Sequence, residues 1–406
     1  MGHFSNTSRT GVFRLTENLL RQVMQNSDTF MANWIASRGN YFQCHEYLKT
    51  RGWDFDGDTR PYPGYPYYCD KKAREYFHIH PLRWVFKGCR CLFKTGENRH
   101  LRSKTRGIDI FHSTYFALPT PTKDKRITRF LTVYDLIPFL YPQFFTWKNI
   151  RQVKQAIASL APSDFVICIS ESTRNDFCNR VKFDPNRVFV IPPAAAESFT
   201  PCRDPRQIKE ARDKYHIPEG HYILSVATLE PRKNLKQLIA AYRQVVEQEK
   251  AKDLHLVLIG AKSPLYNRMV AEIQIPNQMK ERIIFTGYVP DSDLTPLYSG
   301  ALVFVYLSFY EGFGLPVLEA MQCGTPVITS NTSSLPEVVG DAGIMTSPHD
   351  IETISQGIME IYRSGTLREK LSAQSLRQAE KFNWEKCFRQ TGDAYRKALD
   401  MNGTTA

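Results

Sequence analysis

Short apolar segments alternate with helical ones along most of the chain, and this alternation restricts the folds open to it. Nine segments have the length and composition of buried strands. They are residues 108–113, 130–135, 165–170, 188–191, 222–227, 254–259, 283–286, 302–307 and 326–329. Strands that alternate with helices pair in parallel, so the predicted fold class is α/β with doubly wound sheets. Ligands of such sheets bind beyond the carboxyl ends of the strands.

A proline-rich stretch at residues 192–201 separates the first four strands from the other five, and we interpret it as a linker. A chain of 406 residues with 42 % apolar and 23 % charged residues is long enough for two or three domains. We predict one domain at residues 1–198 and a second at 199–383. No strand is recognisable before Gly11, where a helix is predicted to begin. We therefore expect the first central strand of the N-terminal domain to be absent.

Residues 308–321, S-F-Y-E-G-F-G-L-P-V-L-E-A-M, follow a predicted strand and lead into a predicted helix. Gly312 and Gly314 allow a tight turn there, and the first amides of a helix bind anions well. Glu311 and Glu319 are eight residues apart, so we expect them to contact different ends of a ligand, which suits a nucleotide sugar. Because such turns are common in α/β folds, the spacing alone supports a ligand site and an ordinary turn about equally.

A second candidate site follows the predicted strand at 222–227. Arg232 and Lys233 lie there beside Asn234, which is predicted to cap the next helix. Two cations are unfavourable at a helix N-terminus unless an anion lies between them and the helix. We therefore favour a phosphate site over the alternative of solvated surface charges.

The string E-G-F-G-L-P-V-L-E at residues 311–319 resembles the E-x7-E signature of the retaining family-4 glycosyltransferases, and the match continues through A-M-Q-C-G-T-P-V-I. The string E-P-R-K-N at residues 230–234 resembles the donor-phosphate loop of the same family, particularly of its mannosyltransferases. The resemblance extends from Gly11 to about Lys397. It implies a GT-B architecture, in which two Rossmann-like domains face each other across a cleft and a last helix, at 384–400, packs back on the N-terminal domain.

The resemblance also implies donor-binding positions, by alignment with the family's motifs. They are Arg232, Lys233, Phe313, Gly314, Leu315 and Glu319. The two cations would hold the diphosphate and neutralise the leaving group, and the three residues after Gly312 would offer backbone amides. Glu319 would bind the ribose, and Glu311 would contact the sugar hydroxyls.

The remaining candidates concern catalysis and the acceptor. The candidate catalytic residues are Glu311, Lys233, Arg232 and His112. The cleft on the acceptor side is assigned Gly11, Arg14 and Asp135. His112 and Asp135 are chosen because each lies at the carboxyl end of a predicted strand. The family often has His-Asp where this chain has Tyr134-Asp135.

These assignments imply a retaining hexosyltransferase that moves mannose from GDP-mannose to a glycan or lipid-linked glycan in surface polysaccharide synthesis. No metal ion or other cofactor is expected, because no D-x-D string lies at a strand end beside the glycine turn. Asp291-Ser-Asp293 is instead predicted to begin a helix. Two alternatives stay open: another GT-B enzyme, such as a nucleotide-sugar epimerase or a phosphorylase, and an inactive module that binds sugars or a partner enzyme.

The net charge of +12 indicates an acidic partner. No nucleic-acid-binding motif is recognisable, which favours a phosphorylated ligand or an anionic membrane surface over nucleic acid. Residues 80–94, H-P-L-R-W-V-F-K-G-C-R-C-L-F-K, are basic and aromatic. We interpret them either as a membrane-surface segment or as a scaffold helix with a basic outer face.

Localisation is predicted from three features of the sequence. The chain has no run of eighteen apolar residues, no recognisable leader, and nine cysteines without a C-x-x-C pair. These features favour a cytoplasmic protein with reduced thiols. With the basic segment, they favour peripheral association with the inner face of a membrane.

Overall fold

The computed structural model describes residues 109–118, 127–263, 265–273, 275 and 277–403. Several predictions made for the N-terminal part of the chain lie outside the described residues. They are the helix that begins at Gly11, the absent leading strand, the cleft residue Arg14 and the basic segment at 80–94.

The first of two sheets has four strands. They are β1 (Ile110–Ser113), β2 (Thr128–Val133), β3 (Phe165–Cys168) and β4 (Val188–Val190). The strand order is β1-β2-β3-β4, and both the β1–β2 and the β3–β4 pairs are parallel. β2 and β3 are buried at every position. The continuous apolar sequence of β3, F-V-I-C, predicts this burial, whereas β2 also buries Arg129, which is paired with Asp164.

The second sheet has six strands, all paired in parallel. They are β5 (His221–Val226), β6 (Leu254–Ile259), β7 (Ile283–Gly287), β8 (Val303–Tyr306), β9 (Val327–Ser330) and β10 (Ile344–Thr346). Their order is β10-β9-β8-β5-β6-β7. The chain therefore runs from β5 outward to β7, returns to the other side of β5, and continues outward from β8 to β10.

Helices connect most of these strands. The α-helices of the described residues are α1 (Ile137–Leu140), α2 (Trp147–Ala158), α3 (Glu171–Val181), α4 (Pro205–Lys214), α5 (Leu235–Glu249), α6 (Tyr266–Glu272), α7 (Asp291–Ser299), α8 (Leu315–Gln322), α9 (Leu335–Val339), α10 (Ile351–Arg363), α11 (Gly365–Ala379) and α12 (Trp384–Met401). Short 3-10 helices occupy Pro142–Phe144, Pro185–Arg187, Pro231–Lys233 and Asn277–Arg282. α5 shows how they pack: it buries Leu235, Leu238, Tyr242 and Val245, at the three- and four-residue spacing of one helix face.

The described chain separates into two compact units. One contains β1, β2 up to Thr132, Gln155–Phe165 and the chain from Phe388 onward. The other contains Val133–Lys154 and Val166–Cys387. The division predicted at residues 198 and 199 stays a prediction.

The predicted strands and parallel pairing are confirmed, and so is the helix predicted to begin at Asp291. The short elements α1, α4, α9 and β10 are not predicted. A signal for α4 is present in the sequence, because Asp204 accepts a hydrogen bond from the Arg206 amide and Pro205 opens the helix. β10 has three residues, too few for a periodic pattern to show.

His112, on β1, joins three elements of the first unit. Its Nδ1 lies 2.6 Å from the Tyr395 hydroxyl on α12, and its Nε2 lies 2.8 Å from Thr132 Oγ1 on β2. Asn402, the residue after α12, donates from Nδ2 to Thr128 Oγ1 on β2 at 3.1 Å. Burial lowers the pKa of His112 to about 4. His112 is therefore a neutral imidazole near pH 7, bonded at both ring nitrogens.

Lowering the pH from 7 to 5 should cost the protein about 2 kcal/mol of stability through His112 alone. The unfolded histidine has a pKa of 6.5 and the folded one about 4, so the unfolded chain takes up the proton first. The loss begins near the upper value and is complete below the lower one. Urea unfolding at both pH values measures it.

The His112→Asn variant should lose most of this pH dependence. The control is His349→Gln, which changes an exposed histidine of the other unit. This variant should keep the pH dependence of the wild type. An unchanged pH dependence in His112→Asn would contradict the neutral state of His112.

Candidate active site

The strand order places one candidate site at the centre of the second sheet. β5 and β8 are neighbours, and the chain leaves them toward opposite edges of the sheet. A crevice forms at such a reversal, beyond the carboxyl ends of the two strands. The segments that follow the two strands carry the predicted candidates. We call residues 228–234 the cation loop and residues 308–314 the glycine loop.

The two loops meet in a buried cluster of charges. Glu311 Oε1 accepts from Arg232 Nη1 at 3.0 Å, from Lys233 Nζ at 2.5 Å and from the Tyr306 hydroxyl at 3.1 Å. Arg232 Nη2 also donates to Glu230 Oε1 at 2.7 Å, and Lys233 Nζ lies 2.7 Å from the Tyr306 hydroxyl. The side chains of Arg232, Lys233 and Glu311 are 10–11 % exposed. The structure thus brings together three of the four predicted catalytic residues.

Each charge in the cluster is set by its neighbours. Burial acts to raise the pKa of Glu311, but Arg232 and Lys233 outweigh it and hold that pKa at about 2. Burial lowers the pKa of Lys233 and Arg232 lowers it further, against the opposing effect of Glu311 and Glu230. Glu311 is therefore a carboxylate near pH 7 and can only accept hydrogen bonds.

Asp135 lies beside this cluster, in the turn after β2. Burial raises the pKa of its carboxyl group, while a bond from the Ile137 amide and the charge of Arg232 lower it. The Ile137 amide donates to its Oδ1 at 2.9 Å. Asp135 also lies close to the backbone of Gly312: a Cβ added to Gly312 would be 3.1 Å from Asp135 Cβ. Asp135 and the glycine loop therefore share one side of the site.

The backbone carbonyls of the glycine loop point into the protein. Six consecutive carbonyl oxygens accept hydrogen bonds, from Ser330 to Ser308, from Thr332 to Phe309, from Arg232 to Tyr310, from Ser334 to Glu311 and to Phe313, and from Ser170 to Gly312. By contrast, none of the hydrogen bonds found among the described residues is donated by the amides of Phe313, Gly314 or Leu315. These amides lie at the N-terminus of α8, where an anion is favoured.

Both glycines of the loop are required by geometry. A Cβ on Gly312 would lie 2.2 Å from the Tyr134 carbonyl oxygen, a separation too short for any non-bonded carbon and oxygen. Gly314 has φ +113°, in the left-handed region, and a Cβ there would lie 2.7 Å from Leu335 Cδ2. The loop therefore keeps its course only with these residues.

Glu319 and His112 have hydrogen-bond partners outside the charge cluster. Glu319, on α8, is 2 % exposed and accepts from the Tyr298 hydroxyl at 3.1 Å. The two glutamates of the signature accept from different hydroxyl groups, Glu311 from Tyr306 and Glu319 from Tyr298. Their expected contacts with different ends of a ligand stay a prediction. His112 belongs to the other unit, where it bonds Thr132 and Tyr395. Gly11 and Arg14 lie outside the described residues.

The capping bond predicted for Asn234 is wrong. Asn234 does occupy the position before α5, but in a left-handed conformation with no side-chain bond to the helix. Its Nδ2 instead donates to the Pro348 carbonyl oxygen at 2.6 Å. The tertiary partner replaces the local one, because a buried amide group must find an acceptor wherever the fold provides it.

Sequence reasoning missed three contributors to the site: Tyr306, Glu230 and the four hydroxyl side chains of residues 330–334. A signal exists for two of them. Tyr306 is the last residue of β8, and the stretch 330–334, S-N-T-S-S, begins with Ser330, the last residue of β9. Both therefore stand at carboxyl ends of strands, where ligand sites of parallel sheets lie.

Metal ligands, disulfides and membrane spans are all lacking in the described part of the chain. It holds no group of three or more His, Cys, Asp or Glu side chains arranged to bind a metal ion. Its cysteines, Cys168, Cys178, Cys202, Cys323 and Cys387, are free thiols. No helix among the described residues is long and apolar enough to cross a membrane.

Comparison with known proteins gives two family matches. The family described as glycosyl transferases group 1 matches residues 207–378, and the one described as glycosyltransferase family 4 matches residues 42–197. The O-antigen chain mannosyltransferase B of Escherichia coli is 36 % identical over 295 residues, which are 71 % of this chain and 74 % of that protein. The serotype-specific mannosyltransferase WbdA of Escherichia coli is 29 % identical over 297 residues. They cover 72 % of this chain but 36 % of that protein, so this chain spans about a third of it.

A solved structure with the same fold is that of WaaG, a glycosyltransferase involved in lipopolysaccharide biosynthesis. It superposes with a TM-score of 0.61 and 13 % identity, over 94 % of this chain and 95 % of that one. At this identity the likeness concerns the fold alone. Together with the two family matches it confirms the predicted GT-B class, with two parallel-sheet α/β domains.

Replacing Gly312 by alanine should destabilise the protein by about 1–3 kcal/mol, because the new Cβ would force the loop away from Tyr134. The matched control is Gly365→Ala at the start of α11, where the nearest atom to the new Cβ is Arg368 Nη2 at 3.6 Å. That control should be neutral or slightly stabilising. Thermal unfolding compares the two variants. Equal melting temperatures would show that the loop can move without cost.

Proposed function

Because the chain belongs to the group 1 and family 4 glycosyltransferases, we propose that it transfers mannose from GDP-mannose to a glycan, with retention of anomeric configuration, in polysaccharide synthesis. One observation carries the proposal. Two cations and a carboxylate, Arg232, Lys233 and Glu311, are held together beside three amides at the start of α8 that donate to no group in the described part of the chain. The cations and amides suit a diphosphate, and the carboxylate suits sugar hydroxyls.

The chemistry proposed for the cations is leaving-group stabilisation. When the bond between the sugar and the diphosphate breaks, negative charge grows on the diphosphate. Arg232 and Lys233 are already fixed by Glu311, Glu230 and Tyr306, so their charges need little reorganisation at that moment. We propose that these two charges take the role a metal ion has in other transferases, and that transfer needs no metal ion.

Glu311 is proposed to select and orient the sugar. All three bonds from Arg232, Lys233 and Tyr306 fall on its Oε1, and we assign the sugar hydroxyls to Oε2. The relatives named mannosyltransferases support mannose as the sugar, with 36 % and 29 % identity. GDP as the nucleotide is proposed from the same relationship.

The remaining predicted positions complete the proposal. The amides of Phe313, Gly314 and Leu315 would bind phosphate oxygens, and Glu319 the ribose. The place of Asp135 beside the charge cluster supports an acceptor contact. His112 would have to give up a bond to Thr132 or Tyr395 before it could take part in catalysis. Catalysis by His112, and a cleft lined by Gly11 and Arg14, stay predictions.

A calorimetric titration with a panel of nucleotide sugars tests the function, followed by assays with and without an oligosaccharide acceptor that ends in mannose. GDP-mannose should bind most tightly and should be consumed only when acceptor is present, in EDTA as well as without it. Consumption without acceptor would favour an epimerase. Binding without any turnover would favour the inactive sugar-binding module, and preference for another donor would overturn the assignment of GDP-mannose.

Lys233→Ala should lower turnover about a hundredfold or more, since it removes a preorganised charge worth about 3 kcal/mol to the leaving diphosphate. Lys236→Ala is the matched control, because Lys236 is an exposed lysine one turn farther along the chain. Steady-state transfer rates of the two variants are compared. Near-normal turnover in Lys233→Ala would remove Lys233 from the reacting centre.

We also propose that the protein associates with an anionic membrane surface, where a lipid-linked acceptor would lie. The described chain has a basic and aromatic surface at residues 139–154. Trp147 is 70 % exposed there, with the Arg151 guanidinium 5.1 Å from its ring centre. No acidic residue occurs between Asp135 and Asp164. Such a composition suits the interface of an anionic bilayer.

Changing Lys148, Arg151 and Lys154 to Gln together should weaken binding to vesicles with anionic lipid, by about 1 kcal/mol per cation at low salt. The control changes three exposed lysines elsewhere to Gln, Lys236, Lys252 and Lys370, which removes the same charge. Co-sedimentation measures both variants, and raised salt should weaken the wild type. Equal losses in the two triple variants would show that overall charge, and not this surface, binds the membrane. Wild-type protein left in the supernatant at low salt would overturn membrane association.

A further inference from the structure

A carboxylate from α9 caps the helix α3. Glu337 Oε2 accepts from the Glu171 amide and Oε1 from the Ser172 amide, both at 2.8 Å. These are first-turn amides of an 11-residue helix, and they have no partner within their own helix. A carboxylate that binds two consecutive amides at a helix N-terminus makes charge-assisted bonds and also complements the helix dipole. The contact therefore joins two segments that are 165 residues apart.

Residues 333–337, the segment that ends in Glu337, also hold the backbone of Glu311. The Glu311 amide donates to Ser333 Oγ at 2.9 Å, and the Ser334 hydroxyl donates to the Glu311 carbonyl oxygen at 3.0 Å. Ser333 takes a left-handed backbone conformation, with φ +52°, which is uncommon for residues other than glycine. Both polar backbone groups of Glu311 are thus fixed by residues that lie three and four positions before Glu337.

The helix that Glu337 caps holds the glycine loop from the opposite side. Ser170 precedes α3, accepts from the Thr173 amide at 3.1 Å and donates to the Gly312 carbonyl oxygen at 2.8 Å. Thr173 Oγ1 donates to the Tyr134 carbonyl oxygen at 3.2 Å. Tyr134 is the residue whose backbone leaves no room for a side chain at position 312.

We propose that Glu337 is a positioning residue for Glu311, on the basis of the proposed role of Glu311 in sugar binding. The glycine loop is held on one side by Ser333 and Ser334, and on the other by Ser170 at the start of α3. Glu337 follows the two serines in the chain and binds the N-terminus of α3, so it ties the two sides together. The Glu311 carboxylate is thereby held relative to Arg232 and Lys233. Glu337 itself makes no contact with the charge cluster among the bonds described above, and it acts through the backbone.

Glu337→Gln tests the proposal with little change of shape. A carboxamide has one acceptor oxygen, so one of the two amides loses its partner and faces an NH2 group instead. In wild-type background, kcat/KM for the donor sugar should fall about tenfold. In a Glu311→Gln background the same change should cost less than about twofold, because the group being positioned is already altered.

Two controls separate positioning from stability. Glu171→Gln removes a first-turn carboxylate from the same helix that is bonded to Arg174 and exposed, and it should leave kcat/KM within about twofold. Thermal unfolding of all variants shows whether the fold is intact. An equal fall in kcat/KM from Glu337→Gln in both backgrounds would overturn the proposal, as would no fall in the wild-type background.

Amide hydrogen exchange gives a readout that does not need catalysis. Glu337→Gln should speed exchange at the Glu171 and Ser172 amides and also at the Glu311 amide. Faster exchange at the helix alone would overturn transmission to the loop. If the donor panel shows no transfer at all, the proposed function fails while the exchange experiment still decides whether Glu337 fixes Glu311. Wild-type activity in Glu311→Gln would likewise refute the sugar-binding role and leave the exchange result to stand alone.

Discussion

Two cations and two carboxylates form one cluster beyond the carboxyl ends of β5 and β8, and each charge is stabilised there by the opposite charges beside it. A single charge left alone in a protein interior costs several kcal/mol. Arg232, Lys233, Glu230 and Glu311 have balancing formal charges and lie 2.5–3.0 Å from their partners. Arg232 also binds the Tyr310 carbonyl oxygen at 2.6 Å, so the same ion that balances the carboxylates also directs the backbone of the glycine loop. Site and loop therefore depend on one set of contacts.

Most of the fold could be predicted because hydrophobic patterning is local. The strands β1 to β9 show their short apolar segments, and the long helices their period, within a few residues. The order of the strands could not be derived in this way, since pairing of β5 with β8 brings together segments about 80 residues apart. That pairing is what makes the two candidate loops neighbours. The sequence placed both loops at strand ends, and the sheet order explains why they meet.

Part of the candidate site could be predicted because its residue types are unusual for their position: two cations, Arg232 and Lys233, directly precede a helix N-terminus. The site was not predictable where the partner is distant. Asn234 has the composition of a cap and bonds Pro348 instead. His112 stands at a strand end, but its environment is set by Tyr395, which lies 283 residues later. A local pattern indicates what a side chain can bond, and the fold decides which of its candidates is within reach.

The glycine loop is held by its carbonyl oxygens, through hydroxyl groups of Ser170, Ser330, Thr332 and Ser334. Backbone oxygens are present whatever the side chain. Apart from Gly312 and Gly314, residues of the loop can therefore diverge between homologues without disturbing its path. Such a loop separates two evolutionary tasks: the serines and threonine hold the course of the backbone, while the side chains carried on that backbone remain open to selection for a different contact.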